Sequence, residues 1–436
     1  MPSLKLFGVT FDRSNATYMP GEIVNGKIIL DTIKEKQVRG LYVSTRGISH
    51  VHWSESDLLD NSKSRTYSNS EEYYHFKYNI FGTQDCQAGH KIPYGHNEYT
   101  FSFRLPNDIP CSFEHTNGYI RYTVKAVIDR PWKFDHECKA AFTVVSDLNL
   151  NLHREKCFGI NDGIRKSFKR LCWCGQGSMD LQITVPSSGY VPGQTINTTL
   201  NYMNYSNEQI TKVSVTLLRK LQFYATSKTL SNIKVIKKTS DFGPFQKNGQ
   251  ITSEILVPPI APSYLQHCKI INLNYELIVS VHISAAFSKI KRTYPLLIGT
   301  IPLYYQSLPS PYNVVPYSSN SNVTKPAIMP VPMTMPEQAS AANIPTAPTQ
   351  DPANSSSFNL DIPPPSYEVG LSYTPHIREI HESELVLGTN TPFSPKYPVY
   401  NYPAPSKIMN SLGNNLSGFN RRVNFQLNFL SFRVTQ

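Results

Sequence analysis

The chain has 436 residues, of which 17% are charged, 11% aromatic and 33 proline, with a formal net charge of +11. That length predicts two or three units at roughly 150 residues each, and no run of about 18 apolar residues is present to form a membrane-crossing helix. Residues 1–13 show no basic segment followed by an apolar one, so a secreted chain is not expected, and the seven cysteines read as reduced thiols.

Along the chain, Leu4-Lys5-Leu6 and Val9-Thr10-Phe11 alternate apolar and polar residues, as half-buried strands do. A turn follows at Tyr18-Met19-Pro20-Gly21, and a further strand signal appears at Ile120-Arg121-Tyr122-Thr123-Val124. The pattern then returns. Tyr190-Val191-Pro192-Gly193 and Asn197 repeat Tyr18 to Gly21 and Asn25 at an offset of 172, which also aligns Leu41 with Val213 and Val43 with Val215. Tyr275-Glu276-Leu277 resembles Tyr122-Thr123-Val124. A register held this long predicts a duplicated β unit, and the absence of sustained helical periodicity predicts an all-β chain.

Charge and proline are unevenly placed. Residues 1–150 carry 17 basic and 17 acidic side chains, residues 151–176 carry 6 and 2, residues 177–304 carry 12 and 5, and residues 305–436 carry 7 and 7. The excess belongs to one connecting stretch and the unit after it. No RRM or OB pattern accompanies it, so no nucleic-acid partner is expected. Nineteen of the 33 prolines lie between Pro309 and Pro405, among Ser, Asn, Thr and Ala. Such a segment has too little apolar surface to offset its ordering entropy, which predicts a disordered tail.

Several stretches together resemble one family: Lys5 to Asp12, Tyr18 to Glu22, Asp129-Arg130-Pro131-Trp132-Lys133-Phe134, Gly189 to Gly193, and Pro295 to Leu303. They are similar to the α-arrestins, the arrestin domain-containing proteins. The resemblance covers residues 3–304. It implies two immunoglobulin-like β-sandwiches in tandem, an arrestin N-domain over 1–150 and an arrestin C-domain over 177–304. A basic hinge over 151–176 would join them, with a disordered Pro-rich docking tail over 305–436.

The tail contains Pro364-Pro365-Ser366-Tyr367, a P-P-x-Y string. Two prolines present a polyproline-II ridge to the aromatic groove of a WW domain, and the tyrosine fills a neighbouring pocket. Members of the family typically carry two such motifs. Here the second place reads Ser394-Pro395-Lys396-Tyr397, with serine for the first proline, so Pro395 and Tyr397 are candidates for a second WW contact. Pro345-Thr346-Ala347-Pro348 matches the ligand pattern of the UEV domain in ESCRT-I.

In the hinge, Arg165, Lys166, Lys169 and Arg170 are interleaved with Phe168, Leu171 and Trp173, a composition suited to peripheral contact with an anionic membrane. Cys157, Cys172 and Cys174 lack the knuckle spacing of a zinc site, so no metal is expected. Nor is there a nucleophile elbow, a Walker loop or a zincin helix, which leaves no catalytic residue and no cofactor to assign. Residues 411–436 alternate at Val423, Phe425, Leu427 and Phe429, a pattern open to two readings, a disordered or membrane-seeking end or a strand added to a sandwich edge.

The resemblance implies a cytoplasmic trafficking adaptor recruited to plasma membrane and endosomes. It would bind receptors or transporters as cargo, recruit WW-domain HECT ubiquitin ligases through Pro364, Pro365 and Tyr367, and hand cargo to ESCRT-I through Pro345 to Pro348. The alternative is an arrestin-fold signalling or redox scaffold that is itself a ligase substrate. Phosphorylation of Tyr367 should abolish WW binding, because a dianion does not enter a pocket shaped for a phenol. Equal affinity of plain and phosphorylated peptides spanning residues 360–370 would refute this.

Overall fold

A computed structural model of the chain describes residues 4–56, 64–82, 89–168, 177–284, 289–304, 376–379 and 382–400. The first sandwich uses β1 (Leu4–Phe11), β2 (Thr17–Tyr18), β3 (Ile23–Thr32), β4 (Lys36–Val38), β5 (Gly40–Ser56), β6 (Ser64–Gly82), β7 (His90–Ile92), β8 (Gly95–Arg104), β9 (Phe113–His115), β10 (Gly118–Asp129) and β11 (His136–Val144). One sheet has the order β1-β3-β8 and the other β2-β11-β10-β5-β6, with β9 beside β10 and β4 paired to β7 as a small ribbon. The second sandwich uses β12 (Ile160–Phe168), β13 (Gly177–Val185), β14 (Gly189–Tyr190), β15 (Thr195–Asn204), β16 (Ile210–Tyr224), β17 (Thr229–Phe242), β18 (Asn248–Leu256), β19 (Ile271–Ile283) and β20 (Lys289–Ile298). Its sheets run β12-β13-β15-β18 and β14-β20-β19-β16-β17.

The alternation in the sequence becomes alternation in burial. Along β3, Val24, Ile28 and Leu30 point inward, and along β15, Ile196, Leu200 and Tyr202 do the same. The 172-residue offset maps β2 onto β14 and β3 onto β15. In each copy the Tyr-x-Pro-Gly corner places its tyrosine, Tyr18 or Tyr190, in a short parallel pairing with the last strand of its sheet, β11 or β20. Gly21 (φ 79°) and Gly193 (φ 93°) take the left-handed conformation that residues with a Cβ avoid. The duplicated Pro-Gly is therefore a backbone requirement of the corner.

The two cores differ in filling. In the first, the ring of Phe142 stands 5.5 Å from Phe11, 5.7 Å from Tyr18 and 5.9 Å from Tyr122. In the second, Ile183, Val215, Leu217, Leu277 and Val279 form an aliphatic layer. One polar feature is common to both. The Tyr122 hydroxyl donates to the Pro110 carbonyl at 2.6 Å, and the Tyr275 hydroxyl donates to the Ala261 carbonyl at 2.8 Å. Each fully buried tyrosine thereby pins the loop that enters its sandwich.

The first sandwich also holds a buried ion pair. Arg121 on β10 reaches Glu114 on β9 at 2.5 and 2.8 Å, and its guanidinium lies 3.9 Å from the Tyr119 ring. The second sandwich abuts this hairpin through Phe223, whose ring is 5.0 Å from His115. Asn69 donates to the Tyr224 carbonyl at 3.2 Å, and the Lys269 N–H to Glu71 at 3.0 Å.

The structure adds detail to two expectations. The stretch 151–176 is not simply a hinge. After a 3₁₀ segment, Leu150–Lys156, β12 pairs with β13 from Ile160↔Val185 to Phe168↔Gly177. Ile160, Ile164 and Phe168 pack against the core from one face of the strand at intervals of four, and the polar Asp162 and Lys166 in phase between them disguise the alternation. Nor is the tail uniformly outside the folded body. The compact unit that holds both sandwiches runs to Asn401, and residues 376–379 and 382–400 lie against it. Residues 411–436 lie outside the described residues.

Removing either pinning hydroxyl strands a buried carbonyl. We expect Tyr122→Phe and Tyr275→Phe each to destabilise the chain by about 1–3 kcal/mol, read as a lower denaturant midpoint at unchanged slope.

Candidate functional site

Residues 376–379 and 382–400 form a strap laid along β11 of the first sandwich. Its edge contact is a single parallel bridge between Leu387 and Cys138. There the Lys139 N–H donates to the Leu387 carbonyl and the Leu387 N–H to the Glu137 carbonyl, both at 2.9 Å. Beside it Lys139, whose side chain is 3% exposed, holds Glu379 at 2.8 Å and Glu382 at 3.0 Å, while Arg46 reaches Glu379 at 3.3 Å. A buried ammonium is tolerable because two carboxylates of the strap meet it. Between strap, β1 and β11 lies a cleft of about 320 Å³ lined by Phe7, Val9, Cys138, Ala141, Leu387 and Phe393, among others.

The far end of the strap is held by two tyrosines. Tyr397, 4% exposed, donates its hydroxyl to the Ser112 carbonyl at 3.0 Å, and the Lys396 N–H donates to Thr143 Oγ1 at 3.2 Å. Tyr400 joins Leu148, Leu150, Val191 and Leu297 in a separate apolar cluster at the junction of the sandwiches. Its hydroxyl donates to the Thr300 carbonyl at 2.8 Å and its N–H to the Pro192 carbonyl at 3.0 Å. A Cβ on Gly193 would stand 2.0 Å from the Tyr400 carbonyl oxygen. The corner of the second repeat is thus also the seat of the strap.

The expected site residues divide accordingly. Pro345, Thr346, Ala347, Pro348, Pro364, Pro365, Tyr367, Lys169 and Arg170 lie outside the described residues. Arg165 and Lys166 are exposed on β12, with Arg165 at 3.5 Å from Asp180. Pro395 and Tyr397, the candidate second WW contact, are both buried in the strap. Docked in this way, Tyr397 presents no phenol to a WW groove. Glu379, Glu382 and Tyr400 were not singled out in the sequence. The apolar run Leu385-Val386-Leu387 and the Tyr397-Pro398-Val399-Tyr400 spacing hint only at apolar contact, and nothing local marks Glu379 or Glu382.

Among the described residues no group of three or more His, Cys, Asp or Glu side chains could hold a metal ion, and no helix is long and apolar enough to cross a membrane. Burial pushes the Cys111 and Cys138 thiols up to about 12, so neither is a nucleophile at neutral pH.

Comparison with known proteins agrees with this architecture. Residues 7–151 match the model for the arrestin (or S-antigen) N-terminal domain, and residues 175–303 match that for the C-terminal domain. The chain belongs to the arrestin domain-containing family, the α-arrestins. It is 28% identical to arrestin domain-containing protein 17 of Caenorhabditis elegans, over 75% of this chain and 78% of that one. It is 26% identical to arrestin domain-containing protein 4 of Mus musculus, over 69% and 72%, and to arrestin domain-containing protein 1 of Rattus norvegicus, over 69% and 65%. In this α-arrestin β12 and the strap fall outside both matched arrestin domains.

The strap's ion cluster makes its docking depend on pH. Burial raises the Glu379 carboxyl, but Lys139, Arg46 and Lys125 more than offset this and leave it below its ordinary value of 4.5. A depressed carboxylate stabilises the docked state fully above that ordinary value, and the contribution is lost as pH falls through the folded-state value. Hydrogen exchange across 382–400 should therefore accelerate on acidification below about pH 4.5 before the strands of either core open. Glu379→Gln should accelerate it already at neutral pH, by about tenfold, as loss of one charged hydrogen bond predicts. Gly193→Ala should do the same through the clash with Tyr400.

Proposed function

We propose that the chain is a trafficking adaptor without catalytic chemistry of its own. The two arrestin sandwiches would hold a membrane cargo protein, a receptor or transporter. Pro364, Pro365 and Tyr367 would recruit a WW-domain HECT ubiquitin ligase, which supplies the catalytic cysteine, and Pro345 to Pro348 would engage the UEV subunit of ESCRT-I. The adaptor would work from the cytoplasm at plasma membrane and endosomes, with Arg165, Lys166, Lys169 and Arg170 available to an anionic membrane.

The observation that carries this reading is the strap. Tyr367 precedes His376 by nine residues, so the WW motif lies within about 32 Å of a point fastened to the first sandwich. A ligase bound there is kept near whatever the sandwich holds. The short tether raises its effective concentration at the cargo without any further contact. The proline ridge needs no folded support, since polyproline II is set by local sterics and loses little entropy on docking.

Capture of a recombinant HECT-ligase WW domain by the full chain should fall at least about tenfold for Tyr367→Ala. Cargo ubiquitination in cells should fall with it. Pro345→Ala should instead reduce capture of the UEV domain and leave WW capture intact. Tyr397→Ala should lower thermal stability with no change in WW capture. Unchanged cargo ubiquitination with Tyr367→Ala would refute the adaptor mechanism at its central step.

A further inference from the structure

We propose that the tip of the first sandwich, formed by the β10–β11 loop and the turns beside it, is a docking site for an anionic lipid bilayer. Asp129 to Phe134 contributed to the family resemblance, but the adaptor reading gives it no task. In the structure the loop projects Trp132, which is 100% exposed, and Phe134, which is 86% exposed. Such aromatics ordinarily bury 150–250 Å² each, so two of them side by side in water call for an occupant.

The loop is built to hold that presentation. Arg130 folds back along it and donates through Nε to the Phe134 carbonyl at 2.7 Å, with a second donation from Nη2, and its N–H donates to Asp135 Oδ1 at 3.0 Å. Trp132 sits at φ 59°, a left-handed conformation that a bulky residue rarely adopts. Strain of this kind clusters where a side chain must be aimed.

Neighbouring turns extend the apolar face. Thr32 of β3 pairs with Gly95 of β8, and the residues flanking this pair, Ile33 and Tyr94, are both exposed. Gly40 and Asp129 pair at this same tip. At the other end of β5, Val51 pairs with Asn69, which contacts the second sandwich through Tyr224. The aromatic tip is therefore the end of the first sandwich that faces away from the second.

Charge selects the occupant. Lys34 and Lys133 are exposed on the two adjacent loops, and Arg130 lies between. Of the nearby carboxylates, Asp129 is held by Arg39, Glu35 by Lys91 and Glu137 by Lys125, which leaves Asp135. The local field is positive, as buried Lys36 and half-buried His136 report. Lys36 is pulled down to about 8 by burial and by Arg130, Lys133 and Lys34, and His136 to about 4 by burial, Arg130 and Lys36. Protein–protein interfaces are depleted in lysine, whereas tryptophan set among lysines is the composition of the bilayer interface. The basic strip on β12 differs, because Arg165 is near Asp180 and its apolar neighbours Ile164 and Phe168 pack against the core.

The test is flotation of the full chain with vesicles of phosphatidylcholine alone or mixed with phosphatidylserine. We expect binding to the mixed vesicles to exceed binding to the neutral ones by at least about tenfold and to weaken with added salt. Trp132→Ser with Phe134→Ser, and separately Lys34→Glu with Lys133→Glu, should each reduce it about tenfold. Unaltered thermal unfolding of the tip variants will show that the fold is intact, since the substituted side chains are exposed. Equal binding to neutral vesicles, or full binding by either tip variant, overturns the proposal. WW capture by these variants is read separately, so failure here leaves the adaptor reading standing.

Discussion

A buried hydroxyl that must find an acceptor organises this molecule. Tyr122 is wholly enclosed, and an unpaired phenolic O–H there would cost free energy comparable to a lost hydrogen bond. Its partner, the Pro110 carbonyl, fixes the loop before β9, and two residues further on Ser112 is thereby set against Val144, whose N–H it accepts at 2.9 Å. The Ser112 carbonyl in turn receives Tyr397 of the strap. One satisfied donor in the core thus determines where a segment almost 300 residues away can fasten. In the second sandwich Tyr275 and Ala261 play the same part, and the neighbouring Ser263 accepts the Ile298 N–H at 2.9 Å.

The strap changes how the proline-rich residues 305–375 relate to the body. A tail attached only at residue 304 would let them roam over the whole reach of the chain. Fastened again from His376 onward, the same stretch becomes a loop anchored at both ends, Tyr304 and His376. The apolar seats of Tyr397 and Tyr400 supply the attraction, and the cluster of Lys139, Arg46, Glu379 and Glu382 supplies the register, since each charge there is costly unless paired.

Much of the fold was legible because it rests on local rules. The period-two runs named the strands, and the duplicated Pro-Gly named the corners, since glycine adopts the positive φ values found at residues 21 and 193 without the cost a Cβ brings. β12 was misjudged because Arg165 and Lys166 on its exposed positions outweighed the spacing of Ile160, Ile164 and Phe168. The strap was missed for a different reason. Its seats are non-local: Lys139, Ser112 and Thr300 are far away in sequence, and nothing near Tyr397 announces a carbonyl waiting in another loop. A tyrosine after proline reads the same whether it fills a partner's groove or its own chain's core.

The seat of Tyr400 against Gly193 has a consequence for biosynthesis. Both sandwiches are complete in sequence by Tyr304, yet the residue that closes the junction between them is 96 positions further on. At about 5–20 residues per second, a ribosome needs about 5–20 s to make that stretch. During this interval the nascent body has its strands but not its closing tyrosines, and the cleft beside β11 and the Gly193 corner face solvent. The last step in folding this chain is therefore timed by translation rather than by the sandwiches themselves.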